Sequence, residues 1–222
     1  FSPGDGKIYC GLYSYLTEWL DSRGYSYEDK DNEYYGLPEE TNDLVSESGV
    51  VDFVKSLHIP FKVRDYQYYA IYQALKYNRR LLLSPTASGK SLMIYSITRF
   101  FANRGDNILI VVPTTSLVEQ MCGDFDTYGW SSKDYCHKIY AGKDKNTSKQ
   151  VTVTTWQSIY KMPKSYFENF DCVIGDEAHL FKAKSLINIM TKLHNCKHRI
   201  GFTGTLDGSS TNQLVLVQLI RL

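Results

Sequence analysis

Leu81-Leu82-Leu83-Ser84-Pro85-Thr86-Ala87-Ser88-Gly89-Lys90-Ser91 is the stretch that decides the fold of this 222-residue chain. The leucines read as the end of a buried strand, Ser84 to Gly89 as a turn, and Lys90 as the opening of an amphipathic helix. Strand, glycine-containing loop and helix in that order form the setting a phosphate-binding loop requires. Asp176-Glu177-Ala178-His179 closes the apolar pair Val173-Ile174 in the same manner. Both polar segments are thus expected at the carboxyl ends of parallel strands, the edge where open α/β sheets bind ligands.

From Phe61 onward, short apolar runs alternate with helical patterns of ten to fifteen residues, the signature of βαβ units and a mostly parallel sheet. The pattern predicts strands at 80–84, 107–112, 137–140, 151–155, 172–176 and 199–203. Helices are predicted at about 64–77, 90–104, 115–127 and 183–194. Leu117, Val118, Met121 and Phe125 share one face of the third of these, whereas the helix after Ser91 is apolar nearly all round and is expected to be buried. The fold class is therefore α/β, a mostly parallel sheet flanked by helices. Residues 1–35 read as a separate, truncated α+β piece: strand Lys7-Ile8-Tyr9-Cys10, a helix carrying Leu12, Leu16, Trp19 and Leu20, and strand Tyr25-Ser26-Tyr27. Residues 36–60 read as linker plus a short helix ending near His58, with the boundary near Ile59-Pro60, and 61–222 as one larger domain.

Composition narrows the function classes. Lys and Arg number 25 against 24 Asp and Glu, so the net charge of +1 argues against nucleic-acid binding by a general basic field. Any such contact must be local. The five cysteines form no CxxC pair, which disfavours a zinc site or disulfide framework and fits a reducing compartment such as the cytoplasm. No apolar run approaches the length of a membrane span. The chain lacks an initiator Met and begins inside a patterned segment, so we expect it to be a fragment.

Residue chemistry assigns provisional roles. Backbone N–H groups from Thr86, Ala87, Ser88 and Gly89 to Ser91 would ring a triphosphate at a helix N-terminus, where aligned peptide dipoles favour anions. Gly89 permits close backbone approach, Lys90 reaches the β- and γ-phosphates, and the Ser91 hydroxyl ligates Mg²⁺. Ser84 stands where the full phosphate-loop pattern has its first glycine. Asp176 is placed to hold the Mg²⁺, and Glu177 to orient and deprotonate an attacking water. Upstream, Gln67 could pair with N6 and N7 of adenine, and Arg64 could stack on the same ring; an exposed polar helix start is the plainer reading. Tyr66, Tyr68, Tyr69 and Tyr72 cluster on one helix, where packing is a better explanation than base stacking. Lys143, Lys145 and Lys149 read as a solvated hairpin rather than a DNA-facing loop.

Arg64-x-Tyr66-Gln67, Pro85-Thr86-x-Ser88-Gly89-Lys90-Ser91, Pro113-Thr114-Thr115-Ser116-Leu117-x-x-Gln120, Thr154-Thr155-Trp156-Gln157-Ser158, Asp176-Glu177-Ala178-His179 and Thr203-Gly204-Thr205, in that order, resemble the motif series of superfamily 2 helicases. The Trp-Gln pair and the serine form of the phosphate loop look most like the UvsW-type phage DNA helicases, and the first 35 residues look like the end of that family's small DNA-binding domain. The resemblance implies a first RecA-like motor domain that uses ATP and Mg²⁺. It further implies a nucleic-acid contact through Thr114, Thr115, Gln120, Thr154, Thr155 and Gln157, and a relay through His179, Thr203 and Thr205. Thr154 and Thr155 also read simply as β-branched strand residues, with Trp156 as core. A second RecA-like domain supplying arginines would be expected beyond this chain; loss of such arginines costs roughly 10³ to 10⁵ in turnover. The implied activity is ATP-dependent unwinding or remodelling of branched DNA such as forks, junctions and R-loops. The alternatives are a DEAH-type RNA helicase, a restriction-enzyme motor subunit, a non-enzymatic nucleic-acid-binding module, and a P-loop kinase or small-molecule ATPase.

Overall fold

The computed structural model describes residues 6, 8, 12–28, 45–85, 87–140, 148–178 and 184–204. Lys7, Tyr9 and Cys10 of the expected first strand, the phosphate-loop residue Thr86, the Lys143 and Lys145 loop, and the relay residues His179 and Thr205 lie outside these residues. The described elements run α1 Tyr13–Ser22, α2 Glu47–Ser56, α3 Asp65–Lys76, β1 Arg79–Leu83, α4 Lys90–Asn103, β2 Ile108–Val112, α5 Thr115–Thr127, α6 Ser132–Tyr135, β3 Cys136–Ile139, β4 Val151–Thr155, α7 Trp156–Ile159, α8 Lys164–Phe167, β5 Cys172–Gly175, α9 Lys184–Lys192 and β6 His198–Thr203.

All described strand pairings are parallel, in the order β1-β6-β5-β2-β4-β3. Successive strand residues point to opposite faces, so β1, β2, β3 and β5 each feed two cores. On β2, Ile108, Ile110 and Val112 join the cluster beneath α2 to α5, while Leu109 and Val111 join the cluster beneath α7 to α9. A strand covered on both faces needs an unbroken apolar run, which explains why β2 reads Ile-Leu-Ile-Val-Val. Helix α4 is enclosed from Leu92 to Thr98, and Ser96 and Thr98 satisfy their hydroxyls on the carbonyls of Leu92 and Ile94. Helix α2 buries Val50 and Val54 in the cluster that holds α3 and α4, with Phe53 meeting Phe100 edge to face.

The expected strand Tyr25-Ser26-Tyr27 is not formed. Gly24 takes a left-handed φ of 70°, and the Tyr25 N–H donates to Leu20 O, ending α1 with a glycine turn. Tyr25 then stacks on Trp19 at 5.9 Å instead of entering a ladder. Lys149, expected in a solvated hairpin, is instead tied to the fold: its ammonium donates to the carbonyls of Lys133 and Cys136, bracing the start of β3.

Candidate nucleotide and nucleic-acid site

The strand order explains why two motifs far apart in sequence converge. Strand β6 lies between β1 and β5, so the loops leaving β1 and β5 flank one strand end. The Ser84 N–H donates to Thr203 O at 2.7 Å, and the Asp176 N–H donates to Val111 O at 3.0 Å. Each extends its ladder by one bond and fixes where the turn begins. Beyond those turns, the Lys90 ammonium forms an ion pair with Glu177 and lies 3.9 Å from Asp176 Oδ1. Gly204 closes the group from β6: a Cβ built there would lie 3.9 Å from both Lys90 Nζ and Glu177 Oε2. The Asp176 side chain is 9% exposed, so it gains far more from a cation than a surface carboxylate would.

Backbone strain concentrates here. Ala87 and Glu177 both adopt left-handed φ, 62° and 49°, which cost non-glycine residues about 1 kcal/mol or more each. The Glu177 N–H donates to Asp176 Oδ1 at 2.9 Å, so the aspartate supports the turn that carries its neighbour. Gly89, at φ 81°, is required on two grounds: its dihedral, and the Gln67 Nε2 that occupies the space a Cβ would need.

Gln67 is buried, and both the oxygen and the nitrogen of its amide are engaged. Its Oε1 accepts from Arg64 N and its Nε2 donates to Ser88 O, both at 2.9 Å. The expected adenine contact is therefore not preformed; the amide clamps the phosphate loop, and Tyr66 Oη donates to the same Ser88 carbonyl at 2.9 Å. Arg64 is exposed and donates to Tyr66 Oη at 3.3 Å. Ser84 explains itself as well: its hydroxyl lies 2.5 Å from that of Ser88, a staple across the loop that glycine could not make. Ser91 Oγ is 2.8 Å from Tyr128 Oη. Burial raises the Tyr128 phenol pKa, and the Ser91 bond opposes that rise.

Magnesium typically takes one or two carboxylates plus substrate phosphates rather than a full protein cage. Asp176 and Ser91 are a donor set of that kind, and the described residues hold no cluster of three or more His, Cys, Asp or Glu side chains of a dedicated cage. An enclosed carboxylate already within 3.9 Å of an ammonium is suited to a cation, so the residues fit the ion.

The nucleic-acid expectations divide. Thr114, Thr115 and Gln120 are exposed at the start of α5, where Thr114 Oγ1 accepts from Leu117 N and lies 3.1 Å from Ser116 Oγ. Gln157 is exposed on α7 and donates to Pro113 O at 3.4 Å, joining the ends of β2 and β4. Thr154 differs from the expectation. It is 0% exposed and donates its hydroxyl to Ile139 O and Thr155 O, so nothing is left for a strand phosphate. Thr155 is buried too, its hydroxyl 2.9 Å from Ser158 Oγ. Both are strand residues, the plainer of the two sequence readings. Thr203 is enclosed at the end of β6. Sequence reasoning missed Tyr66 and Tyr128 as partners of the nucleotide loop; Tyr66 is signalled by its adjacency to Gln67, whereas Tyr128 lies 37 residues from Ser91 with no local signal.

Known proteins share this fold. The family described as type III restriction enzyme, res subunit, matches residues 60–208. The ATP-dependent DNA helicase uvsW of Enterobacteria phage T4 is 38% identical over 152 residues, 66% of this chain and 30% of that protein. The DNA 3'-5' translocase XPB2 of Sulfurisphaera tokodaii is 30% identical over 209 residues, 90% of this chain and 44% of that protein. The chain thus spans less than half the length of either relative. The crystal structure of the UvsW helicase from bacteriophage T4 matches with a TM-score of 0.80 at 29% identity, covering 95% of this chain and 77% of that one. With its six-stranded parallel sheet and its converging Lys90, Asp176 and Glu177, the chain belongs to the type III restriction enzyme res-subunit family of superfamily 2 helicases and is similar to UvsW.

Proposed function

We propose that residues 61–222 form the first motor domain of an ATP-dependent DNA helicase or translocase that remodels branched DNA, with residues 1–35 part of a DNA-binding domain and a second RecA-like domain as its partner. The observation that carries this reading is the Lys90 ammonium held between Glu177 and Asp176 at the ends of β1 and β5. A triphosphate entering the loop competes with Glu177 for Lys90. Once Lys90 turns to the β- and γ-phosphates, Glu177 is released to orient a water and take its proton. Magnesium, held by Ser91 and Asp176, would neutralise charge on the phosphates. Ala87 to Ser91 supply backbone donors, and Gln67 and Tyr66 keep the loop in place by gripping Ser88 O.

DNA is tracked in this reading without a basic surface: the exposed Thr114 and Thr115 offer hydroxyls and the free N–H groups of the first turn of α5 to a strand phosphate, with Gln120 and Gln157 beside them. UvsW and XPB2 are named a DNA helicase and a DNA translocase, which supports DNA over RNA. A kinase or small-molecule ATPase would leave that exposed polar edge without a task. The test pairs Glu177→Gln with nucleic-acid competition. The variant should keep ATP binding and lose hydrolysis by about 100-fold or more, and forked DNA should displace a labelled strand better than duplex, single-stranded DNA or RNA. Undiminished hydrolysis would remove Glu177 from its role; stronger competition by RNA would overturn the DNA assignment.

A further inference from the structure

We propose that Tyr128 is a positioning residue for Ser91, accepting the Ser91 hydroxyl hydrogen so that the oxygen lone pairs face the magnesium of a bound nucleotide. This rests on Ser91 as a metal ligand. A hydroxyl that ligates a cation offers a lone pair and must send its hydrogen elsewhere, and partners of this kind set ligand orientation and basicity. The structure places Tyr128 Oη 2.8 Å from Ser91 Oγ, within hydrogen-bond reach.

The phenol is held in place from several directions. Tyr128 caps α5 with its N–H on Asp124 O at 2.9 Å, and its own carbonyl accepts from Tyr95 Oη at 3.3 Å. Tyr95 is anchored in turn by Arg99 Nη1 at 2.8 Å. The Tyr128 ring meets Phe61 edge to face with centroids 6.0 Å apart, and the Tyr95 ring at 5.1 Å. A ring packed on these sides keeps its oxygen at one place beside the start of α4, so little rotamer freedom is lost when Ser91 turns toward the metal. Nothing else in the described contacts explains why a polar oxygen is carried to this point from the far end of α5.

The test titrates a fluorescent ATP analogue into this chain, once with magnesium and once with a chelator, for the native protein, Tyr128→Phe, Ser91→Ala and the double variant. Phenylalanine retains the ring packing and deletes only the oxygen. Tyr128→Phe should lose about 10-fold of the magnesium-dependent gain in affinity, with affinity under chelator unchanged, and the double variant should match Ser91→Ala. Equal losses under both conditions, an undiminished magnesium gain, or additive losses in the double variant would each overturn the inference. The two layers separate cleanly. If Ser91→Ala leaves the magnesium gain intact, the metal assignment falls and takes this inference with it; if Ser91→Ala abolishes the gain while Tyr128→Phe does not, only the role of Tyr128 falls.

Discussion

The two ends of the sheet bury similar side chains for opposite purposes. At the carboxyl ends, Lys90, Asp176 and Glu177 neutralise one another across left-handed turns. At the amino end of β6, Arg199 is more deeply enclosed, and its guanidinium donates to three carbonyls, Cys196 O, Met190 O and Leu193 O, and so ties the end of α9 to the strand. His198 beside it lies over Phe101 at 4.5 Å. Burial alone therefore does not mark a site. A charge bound by backbone carbonyls is committed to the fold, whereas an ammonium held by two carboxylates can be exchanged onto a ligand.

The sharpest way to break this contrast is to delete one cation at each end. Lys90→Ala should lower ATP affinity by about 100-fold or more while the cooperative unfolding transition persists; Arg199→Met should do the reverse, leaving affinity intact and costing about 3 kcal/mol in denaturant unfolding because three enclosed carbonyls lose their donor. A drop in nucleotide affinity for Arg199→Met would erase the distinction.

Acid probes the amino end through His198. Burial, then the charges of Arg104 and Lys197, lower the His198 pKa to about 4, with Asp171 acting in the opposite sense. Between that value and the ordinary value of 6.5, the unfolded chain binds a proton that the folded chain refuses, so stability falls as pH drops through this window. The loss should reach about 2 kcal/mol by pH 5. His198→Leu should flatten that part of the stability profile, measured by urea unfolding at successive pH values; an unchanged slope would show that the histidine is protonated in the folded chain.

The smallest expected effect concerns the two threonine pairs. Thr114→Ala should cost about 1 kcal/mol of helix capping and also weaken DNA binding, whereas Thr154→Val should leave DNA affinity unchanged because that hydroxyl faces Ile139 O. Filter binding with a forked duplex compares the two directly.

Fold class, strand positions and helix positions were legible in the residues because each depends on local periodicity. The Ile108–Val112 run and the helix after Lys90 match their predicted spans to within a residue or two. So was the convergence of Lys90 with Asp176, since each sits at a strand-to-turn junction that an α/β sheet gathers on one edge. The Tyr25–Tyr27 strand is not formed: Gly24 turns the chain back on α1, and Tyr25 stacks on Trp19 there.

What a side chain touches was settled only by tertiary packing. Thr154 and Thr114 look alike in sequence, yet one is enclosed by β3 and the other opens a helix at the surface. Gln67 reached the phosphate loop rather than empty solvent because α3 packs against α4, and Tyr128 met Ser91 across 37 residues because α5 lies beside α4. Local chemistry determined which residues could act, since propensity and periodicity extend over a few turns. Their hydrogen-bond partners depended on how the helices settled on the sheet, which no short stretch of sequence encodes.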